Sequence, residues 1–395
     1  FLRRVAVTMV IGKSEEYAFD MFEALNTTGE PLTAVETFKP RVIRAEGHSL
    51  YEESDSRQSM MEVESFLDRF DTAPARQTAT AELLIPFALA EVGFRLSKRL
   101  NEQRRFLMGR YDDLPDITGK RGFVRQMAQT ATILNHAWRP DGGGPPNLAP
   151  FTDSETRLCL AVLRSANHHI VLAPLARMFG LYRAGELNEE QVRTAVRSMT
   201  AFFALWRGAF GGTANLDAVY RDLMSAGDGA VEVRPFARRP AEQADPSWSV
   251  DSAALQRFFR ARLEEKGIAT NATWASKAAQ VAVYSYSKPL TRLLLLAATH
   301  DSVPDPASPG LAKRGTYGVL PLLSYERWTD DGTLSIEHIA PQTKTNEWEP
   351  ELYATEGTVH RLGNLVLVPV GENAGLSNLG WPTKQASYRV LSATS

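Results

Sequence analysis

The sequence has almost no cysteine: Cys159 stands alone among 395 residues. One thiol excludes an internal disulfide and any paired-cysteine zinc site, and it fits a reducing, cytoplasmic compartment. Long apolar runs are missing too. The densest, Leu293 to Ala298, falls far short of the roughly 20 residues that span a bilayer, so no membrane association is expected. No targeting segment is visible, although the chain opens on Phe1 and not on methionine, and the native start is expected further upstream. Nor does one sign of charge dominate. With 44 basic and 46 acidic residues the formal net charge is -2, which excludes a globally basic nucleic-acid binder. Any such surface must be a local patch, such as Lys313-Arg314, or Arg361 with Lys384 and Arg389. A phosphate loop is also absent, because Asp141 to Pro146 has the glycines but not the Gly-Lys-Ser/Thr ending.

What is present is an ordinary globular composition, 44% hydrophobic, on a chain long enough for two or three domains. Most of it reads as helix. Phe123, Met127, Leu134 and Trp138 recur at mostly helical spacing and predict one buried stripe. Asn188 with Gln191 makes a capping pair for a helix bearing Val192, Val196, Met199, Phe203 and Trp206. Glu82 to Leu107 reads as another helix, its Arg95, Lys98, Arg99, Arg104 and Arg105 more often a solvated face than a track for DNA. Cys159 reads as a small buried hydrophobe, and His168-His169 as helix surface or core, not metal ligands. Residues 46–226 are expected to form a helical domain, 227–250 a linker, and 251–395 a helical lead-in followed by a further domain. In that last part Asp251 is expected to cap a helix, Leu293 to Leu296 to be buried, and Asp301 to Gly318 to form a Pro/Gly loop.

The one departure from helix is Ser335 to Tyr388. Leu334, Ile336 and Ile339 alternate as in a strand, which ends at Glu337-His338 and is stopped by Pro341. A second strand is predicted at Leu362 to Val368, then Asn373, Asn378 and a short helix with Lys384 and Tyr388. Strand, strand, helix with an acid-histidine pair is the layout of a ββα-metal nuclease site. The residue types suit phosphodiester hydrolysis. A neutral imidazole, His338, titrates in the range of a general base. Glu337 and Asn373 offer oxygens to a hard cation, Mg²⁺ or Mn²⁺. Asn364 is placed to hydrogen-bond across the turn and hold the loop that aims His338. Lys384 reads as a phosphate contact or a solvated helix residue, Arg361 as a DNA contact, and His360 as either a cap or a substrate contact.

Glu337-His338-Ile339-Ala340-Pro341-Gln342, with His360 to Leu365, Glu372-Asn373, Leu376-Ser377-Asn378 and Lys384, resembles the His-Asn-His nuclease superfamily. More narrowly it is similar to the C-terminal nuclease domain of GmrSD-like, modification-dependent restriction proteins. Asn373 stands where histidine is the commoner last metal ligand. A second block, Phe22 to Thr33 with Leu25-Asn26-Thr27-Thr28-Gly29-Glu30-Pro31-Leu32, resembles the last motif of the ParB-like N-terminal domain of the same proteins. The nucleotide motif Asp-Gly-Gln-Gln-Arg of that domain is absent, so residues 1–45 are expected to be its end only, and the nucleotide-binding part to be a missing partner.

The resemblance implies a mainly α protein with a C-terminal ββα-metal motif that cleaves or nicks double-stranded DNA with a divalent cation, in defence against phage. Phosphorothioate-sensing Ssp systems contain similar proteins, which makes sulfur-modified DNA one candidate trigger. A homo-oligomer is allowed but not required. The rival expectation is a catalytically inactive helical module that docks DNA or a partner.

Overall fold

The computed structural model describes residues 32–225, 235–244, 252–300, 302–308, 312–315, 322–330, 332 and 335–394. The Phe19-to-Pro31 junction, the Asp251 cap and Leu334 lie outside the described residues. Of those described, 68% are helical and 4% are in strands, so the fold is mainly α. No helix among them is long and apolar enough to cross a membrane.

The chain divides into two compact units, one of residues 1–88 and 95–132, the other of 89–94 and 133–395. The first begins with α1 (Ala34–Glu46), where Thr33 forms a full capping box: its hydroxyl accepts from the Glu36 N–H, and Glu36 accepts from the Thr33 N–H. With α2 (Asp55–Leu67), α3 (Ala73–Val92), α4 (Leu100–Asp112) and α5 (Ile117–Ile133) it encloses an aromatic core. Phe123 lies at the centre, 4.9 Å from Phe87 and 5.9 Å from Tyr111 between ring centroids, mostly edge to face. The single helix expected over Glu82 to Leu107 is two. Gly93, at φ +69°, takes the left-handed conformation that ends α3, and α4 starts only at Leu100. Arg104 is accordingly no solvated residue: it is buried and donates to the Leu32 carbonyl at 2.8 Å.

In the second unit the long α8 (Glu189–Phe210) packs against α6 (Ser154–Ser165), α7 (Leu172–Arg183), α11 (Ser252–Glu265) and α12 (Asn271–Ala278), with α9 (Leu216–Ser225) and α10 (Arg238–Ala244) between α8 and α11 in the chain. Asn188 and Gln191 form the capping box that the sequence suggests. Phe202 on α8 stacks on Phe259 of α11 at 4.5 Å. Trp274 of α12 donates to the Leu205 carbonyl at 2.9 Å and lies so close to Gly208 that a Cβ there would stand 2.9 Å from its ring. Only glycine admits that approach. Part of the stretch expected as a linker is helical and anchored: α10 brings Arg238 onto the buried Glu91, with a 2.7 Å bond from its Nε.

Helices α13 (Val283–Tyr286) and α14 (Lys288–His300) lead to two small antiparallel pairs. β1 (Ser302–Pro304) and β2 (Ala312–Arg314) pair antiparallel inside what the sequence presents as a Pro/Gly loop. After α15 (Tyr325–Thr329), β3 (Ser335–His338) pairs with β4 (Leu365–Val368), so that Ile336 faces Leu367 and His338 faces Leu365. α16 (Val370–Leu376) and α17 (Trp381–Thr394) follow. The pair is anchored through an apolar cluster of Leu158, Ala161, Val162, Leu296 and Trp328, against which Leu293 and Leu367 pack. The helices thus supply the core that two four-residue strands cannot supply alone.

Candidate active site

β4 begins three residues later than its apolar pattern suggests, because Leu362–Asn364 is a tight 3₁₀ turn. That turn places Asn364 beside the end of β3. Its carbonyl oxygen accepts from the Ala340 N–H at 2.8 Å, and its amide nitrogen donates to the Ala340 and Val359 carbonyls at 2.9 and 2.8 Å. Its own main-chain carbonyl accepts from Ile339 at 2.9 Å. One side chain therefore clamps both polar groups of the residue two beyond His338, and also ties down the segment that precedes its own turn. Pro341, which stops the strand, accepts through its carbonyl from the Tyr353 hydroxyl at 2.9 Å.

Alternation sends neighbouring side chains of β3 to opposite faces. Glu337 is buried, and its carboxylate accepts from Lys384 Nζ at 2.6 Å and from the Tyr388 hydroxyl at 3.4 Å, both on α17. Lys384 also donates to the His338 main-chain carbonyl at 2.8 Å. Burial, followed by the charge of Glu337, holds the Tyr388 phenol well above its usual range. Lys384 is completely buried. The sequence reading of a phosphate contact or solvated helix residue is therefore corrected: an enclosed ammonium bonded to a carboxylate and a carbonyl presents nothing to a DNA backbone. Asn373, on α16, donates to the Ser335 hydroxyl and, at 3.3 Å, to the Ile336 carbonyl. Ser335 and Glu337 share a face by the alternation, so Asn373 approaches β3 beside the acid.

His338 points the other way. It is 5% exposed, and its Nε2 lies 3.1 Å from Nδ1 of His360 while its Nδ1 lies 3.5 Å from the Gln342 amide nitrogen. Tyr284 of α13 meets the His338 ring edge-on at 4.6 Å and stacks parallel on His360 at 5.5 Å, with Lys288 Nζ 5.3 Å from the Tyr284 ring centre. Burial, then the charges of His360, Lys384 and Lys288, push the His338 pKa down to about 4. At neutral pH the imidazole is uncharged and able to accept a proton. Arg361 is half-buried where the chain enters the turn bearing Asn364.

Beside Ser335 and Ile336, at the start of β3, opens a cleft of about 540 Å³, lined also by Arg164, Tyr284, Lys288, Arg292 and Trp328. Its charged lining residues are all cationic. Tyr284 and Lys288 belong to the site but carry no motif in the sequence, and lie far upstream of His338. Their only signal is an aromatic and a lysine next to a helix start.

For a metal ion, the described residues offer no cluster of three or more His, Cys, Asp or Glu side chains. Glu337 and Asn373 are the oxygen donors that the sequence puts forward, Glu337 on β3 and bonded to Lys384, Asn373 bonded through its nitrogen to Ser335 and Ile336. Asn373 uses its nitrogen in the bonds to β3, which leaves its oxygen as the group a cation would meet. Such a donor set fits a hard, largely hydrated ion and does not fit zinc.

Residues 269–394 match the family model described as GmrSD restriction endonucleases, C-terminal domain. The C-terminal third of the chain is thus similar to a restriction endonuclease domain, with DNA as the implied substrate. No curated protein matches the chain.

Proposed function

We propose that the C-terminal domain is a metal-dependent DNA endonuclease, nicking or cleaving duplex DNA as part of a modification-dependent restriction system that acts against phage. The observation that carries this reading is the held imidazole. His338 ends β3, its main chain is pinned by Lys384, the loop beyond it is clamped by Asn364, and its ring is kept neutral. A neutral histidine at a rigid strand end suits a general base, which needs defined geometry first and a matched pKa second.

In this reading a water molecule gives its proton to His338 as its oxygen attacks phosphorus, the bond from phosphorus to the sugar oxygen of the cut strand breaks, and that oxygen leaves and takes a proton from solvent. A base of pKa about 4 is weaker than one near 7, but it is deprotonated throughout the physiological range. Asn364 acts at one remove, holding the loop so that the ring does not wander. Glu337 and Asn373 would hold Mg²⁺ or Mn²⁺, which when bound supplies charge neutralisation at the scissile phosphate. The cationic cleft beside Ile336 would take the backbone of the strand being cut, with Arg164 and Lys288 toward its phosphates. The sensing of modified DNA would belong to the ParB-like part of the same system.

The test is nicking of supercoiled plasmid by the purified chain. It is expected to require millimolar Mg²⁺ or Mn²⁺. Glu337→Gln is expected to raise the Mg²⁺ concentration needed more than Asn373→Ala does, since it removes the only carboxylate of the pair. Activity restored by zinc alone would show that the oxygen pair is not the metal site.

One observation favours a second reading, in which the domain is inactive and only docks DNA. Glu337 already has a buried cation, Lys384, at 2.6 Å. DNA binding without nicking under any divalent ion would select that alternative.

A further inference from the structure

The pairing of two histidine rings across the β3–β4 turn has a chemical consequence. Two imidazole nitrogens 3.1 Å apart share one proton, so either His338 donates from Nε2 or His360 donates from Nδ1. The two choices are not equivalent for a base. If His360 donates, the neutral His338 carries its proton on Nδ1 and has spent its lone pair on His360. If His338 donates, its Nδ1 lone pair stays available.

The surroundings favour the second arrangement. Gln342 turns its amide nitrogen, a donor, toward Nδ1 of His338 at 3.5 Å, which suits an unprotonated Nδ1. The separation is long enough for that contact to yield to a water molecule. His360 is itself firmly placed. It ends a 3₁₀ turn, its N–H bonds the Gly357 carbonyl at 3.0 Å, and its ring lies flat on Tyr284. Gly357, at φ +79°, provides the left-handed start of that turn. The same Tyr284 ring abuts His338 edge-on, so one aromatic side chain sets the mutual angle of the two imidazoles, which is 85°.

We propose that His360 is the positioning residue for His338: its Nδ1 accepts from His338 Nε2–H and thereby fixes the tautomer and ring orientation that leave His338 Nδ1 to take the proton from water. In metal sites and triads alike, the bond made by one ring nitrogen decides the state of the other. Here that bond comes from a second histidine, where such partners are more often a carboxylate or a main-chain carbonyl. His360 touches neither water nor phosphate in this scheme and acts only through His338. The inference rests on the nuclease reading above.

Three variants and one spectrum test it. His360→Leu removes the acceptor and is expected to lower the single-turnover nicking rate about 10- to 100-fold, a typical loss for such supporting partners, with DNA affinity unchanged. His360→Asn places an amide oxygen near the lost Nδ1 and is expected to recover most of that rate. A merely structural histidine would be replaced equally well or badly by both. Imidazole ¹⁵N spectra of the full chain are expected to show His338 as the Nε2–H tautomer in the wild type and as a mixture in His360→Leu. Wild-type His338 protonated on Nδ1, or a wild-type rate in His360→Leu, would overturn the proposal, and the spectrum decides even if a variant folds poorly. His338→Ala is the control: if it still nicks, the site reading itself fails. If it is dead while His360→Leu is fully active, only the positioning role falls.

Discussion

Two histidines of the same unit are equally hidden from solvent, at 5% exposure each, and they could hardly differ more in what surrounds them. His168 sits in the helical core with Phe203 at 4.6 Å and Tyr220 at 5.1 Å, and its Nε2 has no hydrogen-bond partner. Its pKa is pushed down to about 3, first by burial and then by the charges of Arg207 and His169. His338 ends a strand, faces a hydrogen-bonding group from each ring nitrogen, and lies next to a buried ion pair. Both are neutral at pH 7. Burial and a depressed pKa therefore do not distinguish a catalytic histidine from a packing one. The polar alignment of both ring nitrogens, together with a main chain held on either side of the residue, is what sets the proposed base apart.

The sharpest way to break the comparison is to remove each ring. His338→Ala is expected to lower plasmid nicking by roughly two to four orders of magnitude, the range lost with a general base, while leaving DNA binding and folding nearly intact. His168→Leu is expected to leave the nicking rate of the folded fraction unchanged. Rate assays beside thermal melts of both variants check this. Equal losses of activity would mean that the two environments are not functionally distinct.

Lys384 comes next in size. With its side chain at 0% exposure and that of Glu337 at 6%, removing one partner leaves a buried charge, and Lys384→Met is expected to destabilise the domain by about 3–5 kcal/mol. Replacing both, as Lys384→Met with Glu337→Leu, is expected to recover much of that loss in a denaturant titration. The pair also sharpens the question of the cation. If Mg²⁺ competes with Lys384 for the carboxylate, Mg²⁺ will raise the melting temperature of Lys384→Met more than that of the wild type. No such difference would indicate that Glu337 serves the ion pair alone.

How much of this was legible in advance depends on whether the information is local. Asn188 and Gln191, three residues apart, declare their element locally. So do Ser335 to His338, where alternation and Pro341 mark a strand and its end. Gly93 was visible, but nothing local says that it breaks a helix instead of being tolerated inside one; only its φ of +69° does. Gly363 and Asn364 are turn formers by composition, and only the apolar run that follows, Leu365 to Val368, suggests extending the strand back to Leu362. Asn364 overrides that by spending its side chain on Ala340 and Val359. Lys384 escapes sequence reading because its information is not local: a lysine on a polar helix is normally solvated, and its enclosure follows from Glu337, far away in sequence. The Tyr284–His360–His338 arrangement is wholly tertiary and has no pattern to be read.

The smallest expected effect is on stability against pH, and it returns to the first histidine. In the unfolded chain His168 titrates near 6.5, whereas in the folded protein it binds a proton only near pH 3. Between those values the unfolded state binds more protons, so stability rises with pH across the interval and is lost as pH falls through it. The contribution is fully present above about pH 6.5 and decreases progressively below. Going from pH 7.5 to pH 5 is expected to cost roughly 1–2 kcal/mol from this residue. His338, whose folded pKa is about 4, adds a loss of the same sign. His168→Leu removes the first contribution without opening a large cavity, whatever it does to stability at neutral pH. The informative quantity is thus the change between the two pH values within each variant, read from urea titrations. A smaller change in His168→Leu than in the wild type is the expected outcome. Identical changes would mean that the aromatic enclosure of His168 admits its proton, and that the contrast between the two histidines is weaker than their surroundings imply.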